Sequence, residues 1–107
     1  MNFFIDRFAP AIRGAVTQLD WQVVDEMVQK LAQVRATGGR LFVLGLGGSA
    51  GNASHLVNDF RKLAGMECYA PTDNVSELTA RINDDGWGNA LVGGLKVSNL
   101  SARDGIF

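Results

Sequence analysis

The fold is decided by one stretch, residues 40–51, which read RLFVLGLGGSAG. Arg40 precedes a continuous apolar run that ends at a glycine, so the run is too short for a helix and typical of a strand covered on both faces. The glycines that follow predict a tight turn. Residues 49–63 have helical periodicity, with an apolar face that ends at Leu63. The stretch therefore predicts a strand, a glycine-rich turn and a helix in direct succession.

The neighbouring segments extend this unit in both directions. Helical periodicity predicts four more helices, over residues 3–19, from the N-cap candidate Asp20 to the Gly38-Gly39 pair, over 75–82 and over 86–99. Residues 68–70 predict a second short strand. Ile106 and Phe107 follow a polar turn and predict the start of a further buried strand, which is cut off before it can pair.

This order of elements predicts an α/β fold with three αβα layers, a small parallel sheet and two preceding helices. A chain of 107 residues holds one domain at most. We expect residues 1–37 to be a helical oligomerisation segment and residues 38–107 to be the first half of the αβα core. Three short strands leave an open edge, so we expect partner chains to cover it or the chain to be part of a longer one.

The composition narrows the class of protein. Ten basic and eleven acidic side chains give a net charge of -1 without clusters of either sign, which argues against binding of nucleic acid or membrane surfaces by bulk charge. No apolar run approaches the roughly 20 residues that cross a bilayer. The single cysteine, Cys68, cannot form an internal disulfide. We therefore expect a cytoplasmic protein in which Cys68 is a buried structural thiol.

The glycine-rich turn at residues 45–51 is the strongest candidate for ligand binding. Glycines let the backbone approach a ligand, and the first turn of a helix presents unpaired N–H groups to an anion such as phosphate. Ser49 could add a hydroxyl donor or serve as the helix N-cap. The turn also fits a loose GxGxxA dinucleotide pattern with Asp73 as the candidate ribose ligand, whereas no Lys-Ser or Lys-Thr pair supports a nucleoside triphosphatase. A purely structural turn is the remaining alternative.

Two further clusters could carry chemistry. His55 and Asp59 lie four residues apart on the predicted helix and share one face, where an imidazole and a carboxylate could hold a metal ion or act as a base with an orienting partner. A solvent-facing pair without a function is the alternative. Residues 83–87, NDDGW, taken alone predict a plain turn with Trp87 as a hydrophobic anchor.

Together these clusters resemble the first half of a sugar isomerase (SIS) domain, specifically of the phosphoheptose isomerase branch. The matching motifs are GR at 39–40, GLGGS at 45–49, HLVND at 55–59 and INDDGW at 82–87. The resemblance runs from the N-terminal helices to Phe107 and implies the SIS, flavodoxin-like form of the αβα fold. It also implies that a Ser/Thr-rich phosphate loop and a helix with a second catalytic histidine would lie beyond Phe107.

The resemblance implies an aldose–ketose isomerase that converts sedoheptulose 7-phosphate to a mannoheptose 7-phosphate through an enediol. The residues that would line the sugar-phosphate site are Gly47, Gly48 and Ser49, and those that would contact the substrate are Asn83 and Asp84. His55 and Asp59 match a helix histidine and a catalytic glutamate, which in some members bind zinc. Zinc is the one cofactor that the resemblance suggests, and only for some members of the family.

Two departures from the family pattern keep a second function open. Leu46 stands where the resemblance implies Asn, and Asp59 is one methylene shorter than the implied Glu. The alternative is therefore a non-catalytic SIS module that senses a sugar phosphate or assembles with protein, and a dinucleotide-binding fragment is a third hypothesis. The apolar faces of residues 3–19 and 23–34 predict a homo-oligomer, a tetramer by resemblance, that binds a sugar phosphate but neither nucleic acid nor membrane.

Overall fold

The structure is a computed structural model that describes residues 2–107; Met1, the first residue of the predicted segment 1–37, lies outside the described residues. By its internal contacts the chain forms two units, one up to Lys30 and one from Leu31 to Phe107. The helices are α1 (Phe3–Thr17), α2 (Trp21–Ala36), α3 (Gly48–Lys62), α4 (Val75–Asp85) and α5 (Trp87–Val97). The strands are β1 (Leu41–Phe42), β2 (Cys68–Tyr69) and β3 (Gly105–Ile106), and a 3₁₀ turn spans Pro71–Asp73.

The unit up to Lys30 consists of α1 and most of α2. Asp20 caps α2 as the sequence predicts, since its Oδ1 accepts from the backbone N–H groups of Gln22 at 3.0 Å and Val23 at 3.3 Å. No residue of α1 is buried, and the aromatic rings of Phe4 and Phe8 stack in the open with their centres 4.9 Å apart. The apolar face of α1 therefore has no cover within the described chain.

The unit from Leu31 contains a parallel sheet with the strand order β2-β1-β3. Leu41 is in register with Cys68 of β2 and with Gly105 of β3. Residues 41–43 are buried, which confirms the prediction of a strand covered on both faces, and the structure places this strand at the centre of the sheet.

Helices cover the two faces of the sheet and give the three predicted layers. Side chains alternate across a strand, so Leu41 and Val43 point to one face and Phe42 to the other. The first face packs on α3 and on the end of α2. The apolar side chains of the two helices in this contact are those of Leu31, Val34, Ala53, Leu56, Val57 and Phe60. The second face lies under α4 and α5, where Ala90 is buried. Cys68 is fully buried in the first face, and this burial raises the pKa of its thiol.

The end of the described chain differs from the prediction. Residues 106–107 do not stop short of pairing, because β3 pairs with β1 and the N–H of Phe107 donates to Phe42 O at 2.9 Å. Nor are they buried, since Ile106 is 56% exposed and Phe107 51%. Pairing succeeds over two residues because the preceding turn is anchored just before β1. There the backbone N–H of Arg40 donates to Asp104 Oδ1 at 2.8 Å.

Three local predictions are also wrong. Ser49 is not the N-cap of α3, because Gly47 holds that position with a left-handed φ of 58° that favours glycine. Leu63 does not join the apolar face of α3, since it is 77% exposed and the neighbouring Ala64 packs on the core instead. Residues 83–85 are not a turn but the last turn of α4, and Gly86 alone, with a φ of 81°, breaks the helix before α5.

Candidate functional site

The glycine-rich turn joins β1 to α3 at the carboxyl end of the central strand. Two of its glycines are required by the fold itself. A Cβ on Gly45 would overlap the backbone carbonyl of Ser49, and Gly47 has the left-handed backbone of the helix N-cap. Gly48 is different, because a Cβ there would meet no atom within 4 Å and its φ is not positive. Packing within the chain therefore does not explain why residue 48 is a glycine.

In the first turn of α3, the backbone N–H of Gly48 is available as a donor. The N–H of Ser49 donates to Leu46 O at 3.0 Å and that of Ala50 donates to Gly47 O at 3.1 Å. Within residues 2–107 the N–H of Gly48 has no backbone or side-chain acceptor. An unpaired donor at a helix N-terminus, next to open space, can bind an anion such as a phosphate oxygen.

His55 and Asp59 form a pair on α3, as their spacing predicts. His55 Nε2 lies 3.3 Å from Asp59 Oδ2, and the two side chains are 76% and 43% exposed. At 1.5 Å per residue, His55 stands about 10 Å along the helix axis from Gly48. The contact with the Asp59 carboxylate orients the His55 imidazole. Because both side chains are exposed, a solute can reach them.

The described residues do not provide a complete zinc site. Structural and catalytic zinc ions take three or four protein ligands. His55 and Asp59 supply two, and no group of three or more His, Cys, Asp or Glu side chains within residues 2–107 could hold a metal ion. The residues present thus fit half a zinc site at most, so no chemical step is assigned to a metal.

The 3₁₀ turn leads from β2 into α4 and also contacts α3. The contact with α3 was not predictable from sequence, whereas the spacing of Asn74 and Glu77 is a signal for the cap of α4. The hydroxyl of Ser54, next to His55, donates to the carboxylate of Asp73. Asn74 caps α4, because its Oδ1 accepts from the N–H of Glu77 at 3.1 Å. The Asp73 carboxylate is thus held by α3, and a ribose would have to compete with Ser54 for it. The turn also contains the buried Oγ1 of Thr72, which has no hydrogen-bond partner within residues 2–107.

Asn83 and Asp84 lie exposed in the last turn of α4. The side-chain amide of Asn83 donates to Asp84 Oδ1 at 2.9 Å. No hydrogen bond within residues 2–107 joins this pair to the His55–Asp59 pair or to the glycine-rich turn. Within residues 2–107, each predicted site pair thus has its own internal contact, and no hydrogen bond links one pair to the other.

A cavity of about 280 Å³ lies on the other face of the sheet, between the strands and the two helices α4 and α5. Its floor includes Phe42 and Tyr69, and its wall includes Arg81. Arg81 Nε is paired with Glu77 at 2.9 Å. A Cβ on Gly93 of α5 would meet the Arg81 guanidinium of α4, so a larger residue there would require this side chain to shift. The cavity lines the helix interface and contains none of the predicted site residues.

Comparison with known proteins bears on both the sequence and the fold. No model of a protein family matches the chain. A phosphoheptose isomerase from Chlorobium phaeobacteroides is 32% identical over an alignment of 87 residues, which covers 75% of this chain and 38% of that protein. The structure of phosphoheptose isomerase GmhA from Neisseria gonorrhoeae superposes with a TM-score of 0.78 at 26% identity, over 94% of this chain and 55% of that one. The chain is thus similar to phosphoheptose isomerases in both sequence and fold.

This relationship confirms the resemblance and the fold class predicted from the sequence. The chain spans less than two thirds of either relative, and these shares fit the N-terminal part of such a protein. Among residues 2–107, no helix is both long enough and apolar enough to cross a membrane. The predicted roles of individual site residues stay predictions.

Proposed function

We propose that this chain is the sugar-phosphate-binding part of a phosphoheptose isomerase. The observation that carries the proposal is the unpaired N–H of Gly48 beside open space, in a chain whose backbone superposes on GmhA. Gly48 and Ser49 offer donors to a phosphate or hydroxyl oxygen, and the partial positive charge of the helix start favours an anion. Gly47 supplies the turn that aims these donors outward.

The catalytic part of the proposal assigns the proton transfer to α3. In aldose–ketose isomerisation a base removes a proton from the carbon next to the carbonyl, and a donor stabilises the developing oxyanion. Asp59 is the proposed base and His55 the proposed donor, since the pair is accessible to a solute and already in contact at 3.3 Å. Asn83 and Asp84 are proposed to hold sugar hydroxyls. Further groups of the complete enzyme would have to close the site around the substrate.

The binding proposal is tested with Gly48→Ala and the matched variant Gly51→Ala. Both glycines lie in α3 with no atom near the added Cβ, so both variants should fold and gain helix propensity. The methyl group added at position 48 would stand where the anion approaches. We expect Gly48→Ala to weaken binding of sedoheptulose 7-phosphate by about tenfold, because the complex loses one hydrogen bond to a charged group. Gly51→Ala should bind with the affinity of the unchanged protein.

Isothermal titration calorimetry measures this difference, with inorganic phosphate as a second ligand. Equal affinities of the two variants would remove the glycine-rich turn from the site. The catalytic assignment has a separate readout, the incorporation of solvent deuterium into the sugar during isomerisation. Asp59→Asn should abolish that incorporation and leave calorimetric binding in place, whereas unchanged incorporation would refute Asp59 as the base.

A non-catalytic role is the second candidate function, and two observations favour it. Asp59 places its carboxylate one methylene closer to the helix than a Glu would, and Leu46 presents an exposed apolar side chain in the turn. A sensing or assembly module needs ligand binding without proton transfer. Binding of sedoheptulose 7-phosphate without deuterium incorporation, also after Asp59→Glu together with Leu46→Asn, would favour this role.

We also propose that copies of the chain assemble through the N-terminal helices. Large apolar side chains along α1 and α2 are about half exposed or more. They include Phe4, Phe8, Ile12, Val16, Val23 and Val28. Contiguous apolar surface of this kind marks protein–protein contacts. Light scattering should give a mass at least twice that of one chain, and a single-chain mass at micromolar concentration would contradict the proposal.

A further inference from the structure

β2 is an edge strand, because the sheet order is β2-β1-β3. The backbone groups of β2 that point toward β1 are hydrogen-bonded to it. The N–H of Leu41 donates to Glu67 O at 2.9 Å, and that of Val43 donates to Tyr69 O at 2.8 Å. Backbone groups alternate in direction along a strand, so the N–H and carbonyl of Cys68 point away from β1. These are the groups that a further strand would have to pair with.

The outward carbonyl of Cys68 is already occupied by a side chain from α3. Arg61 Nη1 donates to Cys68 O at 3.2 Å, and the guanidinium carbon lies 5.6 Å from the centre of the Tyr69 ring. The Tyr69 hydroxyl in turn donates to Glu67 Oε1 at 2.7 Å. A guanidinium, a phenol and a carboxylate therefore form one connected row along the outer side of β2.

We propose that Arg61 closes the β2 edge of the sheet against pairing with another strand. The guanidinium competes for the carbonyl that an incoming N–H would need, and an incoming strand would have to desolvate its charge. Charged side chains are a common means of blunting strand edges, which are otherwise templates for aggregation. Tyr69 supports this role because its ring lies against the guanidinium and limits where it can move.

β3 provides the internal comparison, since it is the other edge of the same sheet. Within residues 2–107 no side chain forms a hydrogen bond with the backbone of Ile106, whose N–H and carbonyl point away from β1. The side chains of Ile106 and Phe107 are apolar and half exposed. Among residues 2–107, a side chain therefore occupies the outer carbonyl of β2, whereas no side chain occupies the outer backbone groups of β3.

The test compares Arg61→Met with Lys62→Met, which removes the same charge from the next residue. The probe is a peptide with the sequence of residues 40–44, RLFVL, flanked by lysines for solubility, because both edge strands pair with this segment in the chain. A second peptide carries methyl groups on alternate amide nitrogens and cannot donate to a strand edge. Hydrogen exchange read by mass spectrometry locates the pairing at residues 66–70 or 104–107.

We expect the peptide to protect residues 66–70 in Arg61→Met but not in the unchanged protein or in Lys62→Met. Affinity at that edge should rise by up to about tenfold, the upper end of the range for one hydrogen bond between neutral groups. The methylated peptide should protect neither variant. Protection of 66–70 in the unchanged protein, or its absence in Arg61→Met with a native circular dichroism spectrum, overturns the proposal. If Arg61→Met does not fold, Arg61→Leu, which is shorter and has no hydrogen-bond donor, takes its place with the same expected result.

Discussion

The two edge strands of the sheet are equally short, but they are stabilised from opposite sides. β2 is bonded to β1 through backbone groups and carries its side-chain contact, from Arg61, on the outer side. β3 has its side-chain contact on the inner side, at the residue before the strand. There the Asp104 carboxylate, whose side chain is 4% exposed, accepts from Arg40 Nη2 at 2.8 Å and from the backbone N–H of Arg40 at 2.8 Å.

The difference shows that fixing a strand and closing its outer edge are separate tasks in this fold. The contact from Asp104 brings β3 into register with β1 and leaves its outer groups available. The contact from Arg61 contributes little to register, which the β1 backbone sets, and blocks the outer carbonyl instead. Changes on the β3 side should therefore affect stability, whereas changes at Arg61 should affect what the sheet binds.

The largest expected effect is on the β3 side, at Gly39. A Cβ there would overlap the backbone carbonyl of Arg103, in the turn that leads into β3. Because backbone cannot move aside as a flexible side chain can, Gly39→Ala should displace this turn and destabilise the protein by about 2–3 kcal/mol. Denaturant unfolding measures the loss.

Hydrogen exchange shows whether the effect of Gly39→Ala is confined to β3. The amides of Gly105 and Phe107, which donate to β1, should exchange faster, whereas those of Leu41 and Val43, which donate to residues of the β2 segment, should keep their protection. Gly51→Ala is the control, since its added methyl meets open space. Equal stability of the two variants would contradict the close approach of residues 39 and 103.

The sequence was most informative where the cause of structure is local. The apolar run at 41–44 predicts the central strand because a strand covered on both faces has no polar alternation. The Asp20 cap and the spacing of His55 and Asp59 were predictable for the same reason, since each contact lies within one turn of a helix.

Contacts between distant elements could not be read in this way. Pairing of residues 106–107 depends on Asp104 meeting Arg40, which is 64 residues away along the chain. The bonds from Ser54 to Asp73 and from Arg61 to Cys68 likewise need the tertiary fold to bring their partners together. For the candidate site, the residue types were predictable, but the placement of Asn83 and Asp84 relative to α3 depends on the packing between them.

A smaller effect is expected when Asp104 is replaced by Asn. The variant keeps the size of the side chain but loses the charge that binds the Arg40 guanidinium. We expect the melting temperature to fall by about 5–10 °C at pH 7, as for the loss of one charged hydrogen bond in a domain of this size. Asp84→Asn, at an exposed carboxylate in α4, is the matched control and should melt close to the unchanged protein.

Acid tests the β3 side of the comparison through the carboxyl group of Asp104. Hydrogen bonds from the Arg40 guanidinium, and then from the backbone N–H groups of Arg40 and Ser101, hold the pKa of the Asp104 carboxyl well below its usual range. An unfolded Asp has a pKa of about 3.9, so the contribution of Asp104 is complete above about pH 5 and is lost as the pH falls from there through the lowered pKa of the folded state. Melting temperatures measured from pH 6 to pH 3 should therefore decline more steeply for the unchanged protein than for Asp104→Asn, with the two curves converging in acid. Parallel curves would mean that Asp104 holds β3 without its charge, and the contrast between the two edges would then rest on Arg61 alone.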